Sequence, residues 1–415
     1  MLISGSTLLV RGASSTRGLL LIGVGIAGGL AALSFASVTL SLALSLTVLV
    51  ASLALATGPR FGHIALGAIP ASVAFQNLSF GAIPLGLLVA AVALVSLAFQ
   101  LSSKGTQVVR SPIAAAVAAY LTWVVASGLW SGDPTATFQL WTGLAVSVVY
   151  ATAIVVFVQD ERSLADVVWG FAVGAAASSA LALFIVPDAT LGAAGQVGLL
   201  GDRNFFAMYQ VFAIPLIVSL ASRRSGVQRT ALYAAAGLSG AATIASTSRA
   251  GVVALAVVVV GLMLVPTGGL FRSVAARTRF VLGSAVAIAV ALVAVGGETL
   301  ARFGDQEGAS GAGGSGRLNL WRAGFTAFES EPLSGIGYGA FAPRALDLQR
   351  ATPSVDFRDQ EPLPDLPTHS AYIGTLAELG IIGLALLVVL LATVIWAALV
   401  AYQRTRRDPS RLTHG

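Results

Sequence analysis

The dominant pattern in this 415-residue chain is a succession of apolar runs separated by short polar stretches. A membrane-spanning helix needs about 20 predominantly apolar residues. Runs of about that length lie at 18–35, 37–57, 82–101, 112–130, 138–158, 164–186, 204–221, 230–246, 250–266, 280–296 and 371–401. The pattern predicts an all-α polytopic membrane protein, because helices satisfy their backbone hydrogen bonds internally in lipid.

One further apolar stretch, 61–81, is ambiguous because polar residues and prolines interrupt it. It could be another spanning helix, or a re-entrant or interfacial segment. Eleven spans would place the N-terminal arginines Arg11, Arg17 and Arg60 outside, whereas twelve would place them inside. Cytoplasmic flanks carry the excess of Lys and Arg, so about 12 spans are favoured over 11.

The basic residues also orient the chain. Several short loops under alternating spans are basic, and so is the C-terminal tail, which identifies that side as cytoplasmic. By contrast, the long loop 297–369 has ten acidic residues and six arginines. It is therefore predicted to be extracytoplasmic. The residues that define the basic side are Lys104, Arg110, Arg223, Arg224, Arg229, Arg272, Arg277, Arg279, Arg404, Arg406, Arg407 and Arg411.

These assignments predict a single membrane domain over 1–415. Its parts are a transmembrane bundle at 18–296, the extracytoplasmic loop at 297–369, the last transmembrane helix at 370–402, and a cytoplasmic tail at 403–415. An N-terminal signal peptide is not predicted, because the uncharged run that begins at Gly18 is far longer than a signal core of about 7–15 residues.

The long loop contains its own structural signals. Residues 308–316 are a Gly/Ser/Ala spacer without the GK[ST] of a phosphate-binding loop. In 317–330, Leu318, Trp321, Phe325 and Phe328 recur at helical spacing, and Pro332 ends the pattern. This predicts a short amphipathic helix against the bundle or the outer interface, whereas 351–368 is expected to be irregular.

Composition narrows the possible functions. The chain is 56% hydrophobic and only 10% charged, well below the roughly 25% charge of a soluble domain. It contains no cysteine, which excludes disulfides and thiolate sites. The net charge of +6 is explained by cytoplasmic flanks, so we expect no nucleic-acid partner. The three histidines are scattered and no ligand cluster is visible, so we expect neither a metal nor a cofactor.

Ionisable residues in a membrane domain are functional candidates by default, since they are costly to place there. His369 lies where the long loop meets the last span, with Glu378 nine residues later. An imidazole there could exchange protons with a substrate at the membrane face. The alternative is a loop-end histidine that only caps a helix.

Four arginines fall on the same predicted outer side as His369. They are Arg203, Arg249, Arg317 and Arg322. A guanidinium binds phosphate through a planar fork of donors, so several arginines with one histidine would suit a diphosphate-bearing substrate. A snorkelling interfacial arginine, a local ion pair with Asp202 or a solvated surface charge are the structural alternatives.

The motifs R-L-N-L-W-R-A-G-F-T-A-F-E-S-E-P-L-S-G-I-G-Y-G-A-F at 317–341 and T-H-S-A-Y-I-G-T-L-A-E-L-G-I-I-G at 368–383 resemble the O-antigen ligase and O-antigen polymerase superfamily. The resemblance extends to S-T-S-R-A-G at 246–251 and D-R-N-F-F-A at 202–207. It covers the C-terminal half of the chain, and residues 1–200 match only in hydropathy.

This resemblance implies a metal-independent membrane glycosyltransferase of the GT-C type at the outer face of the cytoplasmic membrane. The donor would be a glycan on a polyprenyl diphosphate such as undecaprenyl diphosphate, and the acceptor a glycan or lipid hydroxyl. His369, Arg249 and Arg317 match the family's catalytic positions, and Arg203, Arg322 and Glu378 are expected to bind substrate. A transporter of a small anion or lipid-linked sugar is the alternative, and a structural scaffold a weaker one.

Overall fold

The computed structural model describes residues 59–76, 78–80, 83–104, 111–185, 200, 202–264, 273–275, 277–279, 282–283, 286, 317–353, 355 and 365–407. The predicted spans 18–35 and 37–57 lie outside this set, as do most of the span 280–296 and the spacer 308–316. The tail beyond residue 407 is also outside it.

The described chain is built from helices. They are α1 Pro59–Val73, α2 Leu85–Lys104, α3 Pro112–Ala126, α4 Pro134–Phe157, α5 Glu161–Ala180, α6 Arg203–Ser222, α7 Gly226–Ala245, α8 Arg249–Leu264, α9 Arg317–Ser330, α10 Phe341–Ala351 and α11 Ala371–Arg407. A 3₁₀ turn Ser127–Leu129 follows α3, and a π-helical segment Leu181–Ile185 extends α5. The two-residue strands β1 Ser79–Phe80 and β2 Ile83–Pro84 pair antiparallel.

Local sequence accounts for several helix starts. Ser111 caps α3 by accepting the Ile113 N–H, and Pro112 supplies the preset first helical residue. Asp160 and Ser163 form a reciprocal capping box at the start of α5. Asp202 caps α6 through its carboxylate.

Four helical segments of the described chain are long and apolar enough to cross a membrane. They are Pro112–Leu129, Glu161–Phe184, Arg203–Ser222 and Ala371–Arg404. Shorter apolar segments occur at Leu85–Leu94, Gly143–Phe157 and Arg249–Leu264. The all-α membrane class is therefore confirmed. The number of spans, the domain boundaries and the sidedness of the loop stay predictions.

The ambiguous region 61–81 begins as helix and then changes. Helix α1 has 15 residues and is followed by the β1–β2 ladder. At 1.5 Å per residue such a helix is roughly 22 Å long, less than the roughly 30 Å hydrocarbon core. The chain thus leaves the helical conformation within this region, and a span at this position stays a prediction.

The chain divides into two compact units. The first comprises Met1–Thr106 and Val148–Phe303, and the second Gln107–Ser147 and Gly304–Gly415. In the first unit, α5, α6 and α7 pack against one another and α8 packs on α6 and α7. Their core includes the fully buried Phe206, Ile217 and Leu232.

In the second unit, α3 and α9 both pack on α11, and α10 packs on α9. Helix α9 is the amphipathic helix predicted at 317–330. Its buried face is formed by small residues around Leu320, such as Ala323 and Ala327, while Trp321 and Phe325 are 36% and 48% exposed. The aromatic residues therefore do not form the core face of α9. Small residues form it, and they allow the helices to pack closely. Helix α10 had no clear signal in the sequence.

Candidate functional site

The first cluster of predicted site residues lies in the first unit, where the starts of α6 and α8 meet. Asp202 Oδ1 accepts the backbone N–H groups of Asn204 at 2.7 Å and Phe205 at 3.0 Å. The Ser248 hydroxyl donates to Asn204 Oδ1 at 2.8 Å, joining the two helix starts. We call this group, Asp202–Asn204 with Ser246–Arg249, the arginine corner.

The corner brings together two of the predicted arginines. Arg203 is the first residue of α6, and Arg249 is the first residue of α8. Arg249 is exposed, Arg203 is half-buried, and the turn residues Ser246, Thr247 and Ser248 are buried. Thr247 has a φ of 54°, an uncommon conformation for a β-branched residue. A buried and strained turn thus fixes the place from which Arg249 projects.

The second cluster lies in the second unit and joins α9 to the segment before α11. Trp321 Nε1 donates to the Thr368 carbonyl oxygen at 3.0 Å. Arg317 begins α9 one turn before Trp321, so both residues project from the same face of that helix. His369 directly follows Thr368. We call Arg317, Trp321, Thr368 and His369 the histidine corner.

His369 is exposed and has a φ of 53°, in the left-handed region that non-glycine residues seldom adopt. The segment around it is tied down on both sides. The Thr368 hydroxyl donates to the Ser370 carbonyl at 2.9 Å, and the Ser370 carbonyl accepts the Gly374 N–H at 2.8 Å. A conformational outlier held by its surroundings is a common feature of functional sites.

Arg322, predicted to bind substrate, lies five residues after Arg317 on α9. Five residues correspond to a rotation of about 140° around the helix axis, so Arg322 projects from a different face. It is half-buried. The structure therefore does not place Arg322 on the face that carries Arg317 and Trp321, and its substrate role stays a prediction.

The third element of the site is a break in α11. Gly380 has φ 66° and ψ −167°, which are not helical values. The break leaves carbonyl groups without helical partners, and the loop before α10 supplies them. The Ala377 and Glu378 carbonyls accept the N–H groups of Ile336 at 3.0 Å and Gly337 at 2.9 Å. Interrupted helices in membranes are tolerated where protein groups restore the hydrogen bonds in this way.

The same break is closed from two further directions. The Leu379 carbonyl accepts the indole N–H of Trp123 on α3 at 2.9 Å. Beyond the break, the Ile381 N–H donates to the Pro332 carbonyl at 2.9 Å. A Cβ on Gly380 would overlap the Leu333 carbonyl group. The motifs P-L-S-G-I-G and A-E-L-G are thus two halves of one interlocked structure.

The Glu378 side chain belongs to this interlock. Its Oε1 accepts the backbone N–H of Phe341, the first residue of α10, at 3.1 Å. Tyr338, in the same loop, is held by the Ser127 hydroxyl, which accepts its N–H at 3.1 Å. Burial first, and then the negative charge of Glu378, raise the pKa of the Tyr338 phenol. The Tyr338 phenol therefore keeps its proton over a wider pH range.

Comparison with protein families gives a match over residues 234–388, to the family described as O-antigen ligase. Residues 234–388 are therefore similar to an O-antigen ligase domain. The resemblance predicted from its motifs is confirmed. Comparison with curated proteins and with solved structures found no match.

The region similar to O-antigen ligase contains most of the predicted site. Its matched range includes Arg249, Arg317, Arg322, His369 and Glu378, while the whole of α6 with Arg203 precedes it. The apolar helices indicate a membrane protein, and the match supports an O-antigen ligase-like role in polysaccharide biosynthesis, which is glycosyltransferase-type chemistry.

Within the described residues, no three His, Asp or Glu side chains group closely enough to hold a metal ion. Metal independence stays a prediction. The arginine corner is in the first unit and the histidine corner in the second. Their convergence on one substrate also stays a prediction.

Sequence reasoning singled out arginines and one histidine and passed over the residues that hold them. Asn204 and Ser248 join the two arginine-bearing helices, and Trp321 joins α9 to the histidine segment. All three stand inside the motifs that carry the family resemblance. Each of the three has a side chain that can form hydrogen bonds and stands directly beside a candidate arginine in the sequence. That position was the signal by which they could have been found.

Proposed function

We propose that the protein transfers a glycan from a polyprenyl diphosphate to an acceptor hydroxyl at the outer face of the cytoplasmic membrane. Arg203, Arg249 and Arg317 would bind the diphosphate. His369 would position the acceptor hydroxyl and take its proton. The donor's anomeric C–O bond breaks, the acceptor oxygen bonds to that carbon, and polyprenyl diphosphate leaves with the electron pair.

The observation that carries the proposal is that these three arginines are each the first residue of a helix. The N-terminus of a helix has a partial positive charge, so a cation there is unfavourable by about 0.3–1 kcal/mol at an exposed site. An anion reverses this penalty, because the guanidinium and the helix terminus attract it together. Two such starts, α6 and α8, are joined through Asn204 and Ser248.

The diphosphate suits this arrangement chemically. Charge grows on the leaving diphosphate as the glycosidic bond breaks, and fixed donors aimed at growing charge stabilise the transition state. Arginine also keeps its charge at any physiological pH and binds phosphate through two parallel hydrogen bonds. No metal need then be invoked to neutralise the leaving group.

His369 supports the acceptor side of the proposal. It is exposed beside Thr368, whose carbonyl is bound by Trp321 on the helix that begins with Arg317. An imidazole near an acceptor hydroxyl can remove its proton as the new bond forms. Because the segment is fixed from both sides, the backbone that carries the imidazole is held in place, which favours the positioning that general base catalysis requires.

The transport alternative predicts charged residues near the middle of several spanning helices. Among the helices the structure describes, charged side chains lie within about two turns of a helix end. Arg203 and Arg249 begin their helices, and Glu378 lies seven residues into α11. This distribution favours chemistry at the membrane face over transport across it.

The test is complementation of a deletion strain, with lipid-linked and polymerised envelope glycans separated and quantified. Arg249→Ala, Arg317→Ala and His369→Ala should leave lipid-linked donor unconsumed while the variant proteins insert normally. Arg350→Ala is the matched control, an exposed arginine in the last turn of α10, and should complement fully. Lost chains with retained single units indicate a polymerase, and complete lipid-linked chains indicate a ligase. Full complementation by all three variants would refute the proposal.

A further inference from the structure

Uncharged polar side chains are buried on three adjoining helices in the apolar core of the first unit, and we call this set of residues the strip. Ser178 and Ser179 lie on α5, Gln210 on α6, and Ser239 and Thr243 on α7, and each is 0% exposed. The three helices pack against one another. Gln210 Nε2 approaches Ser178 Oγ at 3.5 Å, which joins α6 to α5 within the strip.

The strip lies at one level beneath the arginine corner. Gln210 is seven residues after the start of α6, and Ser239 is six residues before the end of α7. At 1.5 Å per residue both are roughly 10 Å from the outer ends of their helices. Ser179 stands just before the π-helical segment Leu181–Ile185. Such π segments often mark functional positions in helices.

Three polar atoms of this strip are buried and have no hydrogen-bond partner among the described residues. They are Ser179 Oγ, Gln210 Oε1 and Ser239 Oγ. A buried polar group left without a partner destabilises the folded state. Three such groups on three adjoining helices of one core would be an unusual concentration, since native structures satisfy most buried polar side chains.

We propose that ordered water occupies this strip and hydrogen-bonds to Ser179, Gln210 and Ser239. Water fits the chemistry because it both donates and accepts, and buried waters typically have two to four polar partners. The amide oxygen of Gln210 requires a donor, and each serine hydroxyl can donate or accept. The neutral side chains offer no charge to balance an ion.

The site would have a positioning role. Water bonded to α5, α6 and α7 together fixes the axial register of the helices that lead to Arg203 and to the Ser246–Ser248 turn. The hydration site is independent of the glycan-transfer proposal, because it follows from buried polar atoms and needs no substrate.

The experiment is radiolytic hydroxyl-radical labelling of the purified full-length protein in lipid nanodiscs, read by mass spectrometry. Bound water generates radicals in place and modifies buried neighbours. Ile214 is 3% exposed and lies one turn from Gln210, whereas Ile217 is 0% exposed and lies about two turns away. We expect modification at Ile214 and none at Ile217. Equal absence at both positions would overturn the proposal.

Mixing with H₂¹⁸O shortly before irradiation separates bound from bulk water. We expect ¹⁸O to enter exposed residues at once and the Ile214 product only after longer mixing. Immediate incorporation at Ile214 would indicate an open solvent-filled cleft and would also overturn the enclosed site.

A pair of serine variants gives a second test. The change in melting temperature should have one sign if Ser239 binds water and the opposite sign if it does not. Ser246→Ala is the control, because the buried Ser246 hydroxyl donates to the Thr243 carbonyl at 2.6 Å and its loss should lower the melting temperature. If Ser239 binds water, Ser239→Ala should also lower it. If Ser239 Oγ is dry and unbonded, its removal relieves a burial penalty and raises the melting temperature, which would contradict the proposal.

Discussion

The Glu378 carboxylate accepts the backbone N–H of Phe341 at 3.1 Å, and this bond ties α11 to the start of α10. The bond crosses the loop whose N–H groups of Ile336 and Gly337 fill the break near Gly380. A glutamate predicted from sequence to bind substrate therefore has a structural partner within the chain. Its contact with substrate is a separate question that substitution can answer.

We predict that Glu378→Ala lowers stability while Glu378→Gln largely preserves it. The amide oxygen of glutamine can still accept the Phe341 N–H, whereas alanine leaves that group without its partner at a cost of about 1–3 kcal/mol. The measurement is the melting temperature of the purified variants, together with KM and kcat for transfer. Equal stability of both variants with a raised KM would instead identify Glu378 as a substrate ligand.

Hydropathy and helix-ending residues predicted much of the fold. The span predicted at 204–221 is the helix Arg203–Ser222, and Pro332 ends the α9 pattern two residues after Ser330. The break at Gly380 was not predictable, because apolar residues resume directly after Glu378 and Gly380 and the hydropathy of 371–401 is that of a single span. Its cause is a loop some forty residues earlier in the chain, which competes with the helix for its hydrogen bonds.

The site was predicted by residue type and not by arrangement. Arg317 and His369 stood out because charge in a membrane domain is rare. The Trp321 indole that joins their elements did not, since an aromatic at helical spacing indicates a packed face. Tertiary hydrogen bonds such as Trp321 to Thr368 have no signature in hydropathy.

The chain's orientation can be tested because it contains no native cysteine. Cysteines at Ser310 and Ser410, both outside the described residues, should behave oppositely towards an impermeant thiol reagent in intact cells. Position 310 should be labelled and position 410 protected, since the arginine asymmetry places the tail inside. Permeabilised cells provide the control in which both react. Labelling of 410 alone in intact cells would reverse the topology.

We predict that transfer activity survives chelation by EDTA. The proposed stabilisation of the diphosphate comes from arginines and helix N-termini, which chelation leaves unchanged. The measurement is glycan transfer by purified protein before and after dialysis against EDTA. Activity that is lost and then restored by Mg²⁺ or Mn²⁺ would indicate a metal site, with Asp202 and Glu378 as the first residues to test.

Arginine geometry should matter as much as charge at position 317. Arg317→Lys keeps the positive charge but loses the planar fork, so we expect it to reduce transfer nearly as much as Arg317→Ala, by about a hundredfold. Arg350→Lys, at the exposed end of α10, is the matched control and should be neutral. Near-normal activity of Arg317→Lys would mean that charge alone suffices and that two-point binding of phosphate is wrong.

The final prediction is that Arg249, Arg317 and His369 surround one substrate. A diphosphate and an acceptor hydroxyl must lie within hydrogen-bond reach of all three side chains, so the site should be about 10 Å across. In the cysteine-free chain, the pairs Arg249→Cys with His369→Cys and Arg249→Cys with Arg317→Cys should be cross-linked by a bifunctional thiol reagent of that span.

Arg249→Cys with Arg404→Cys is the control pair. Arg404 lies 24 residues beyond the break at Gly380, and that part of α11 is roughly 36 Å long, whereas His369 precedes the break. Cross-linking of the first two pairs, blocked by added polyprenyl diphosphate, would establish a shared site. Failure of both pairs, with each single cysteine reactive, would remove His369 from the catalytic assignment and leave the membrane fold unchanged.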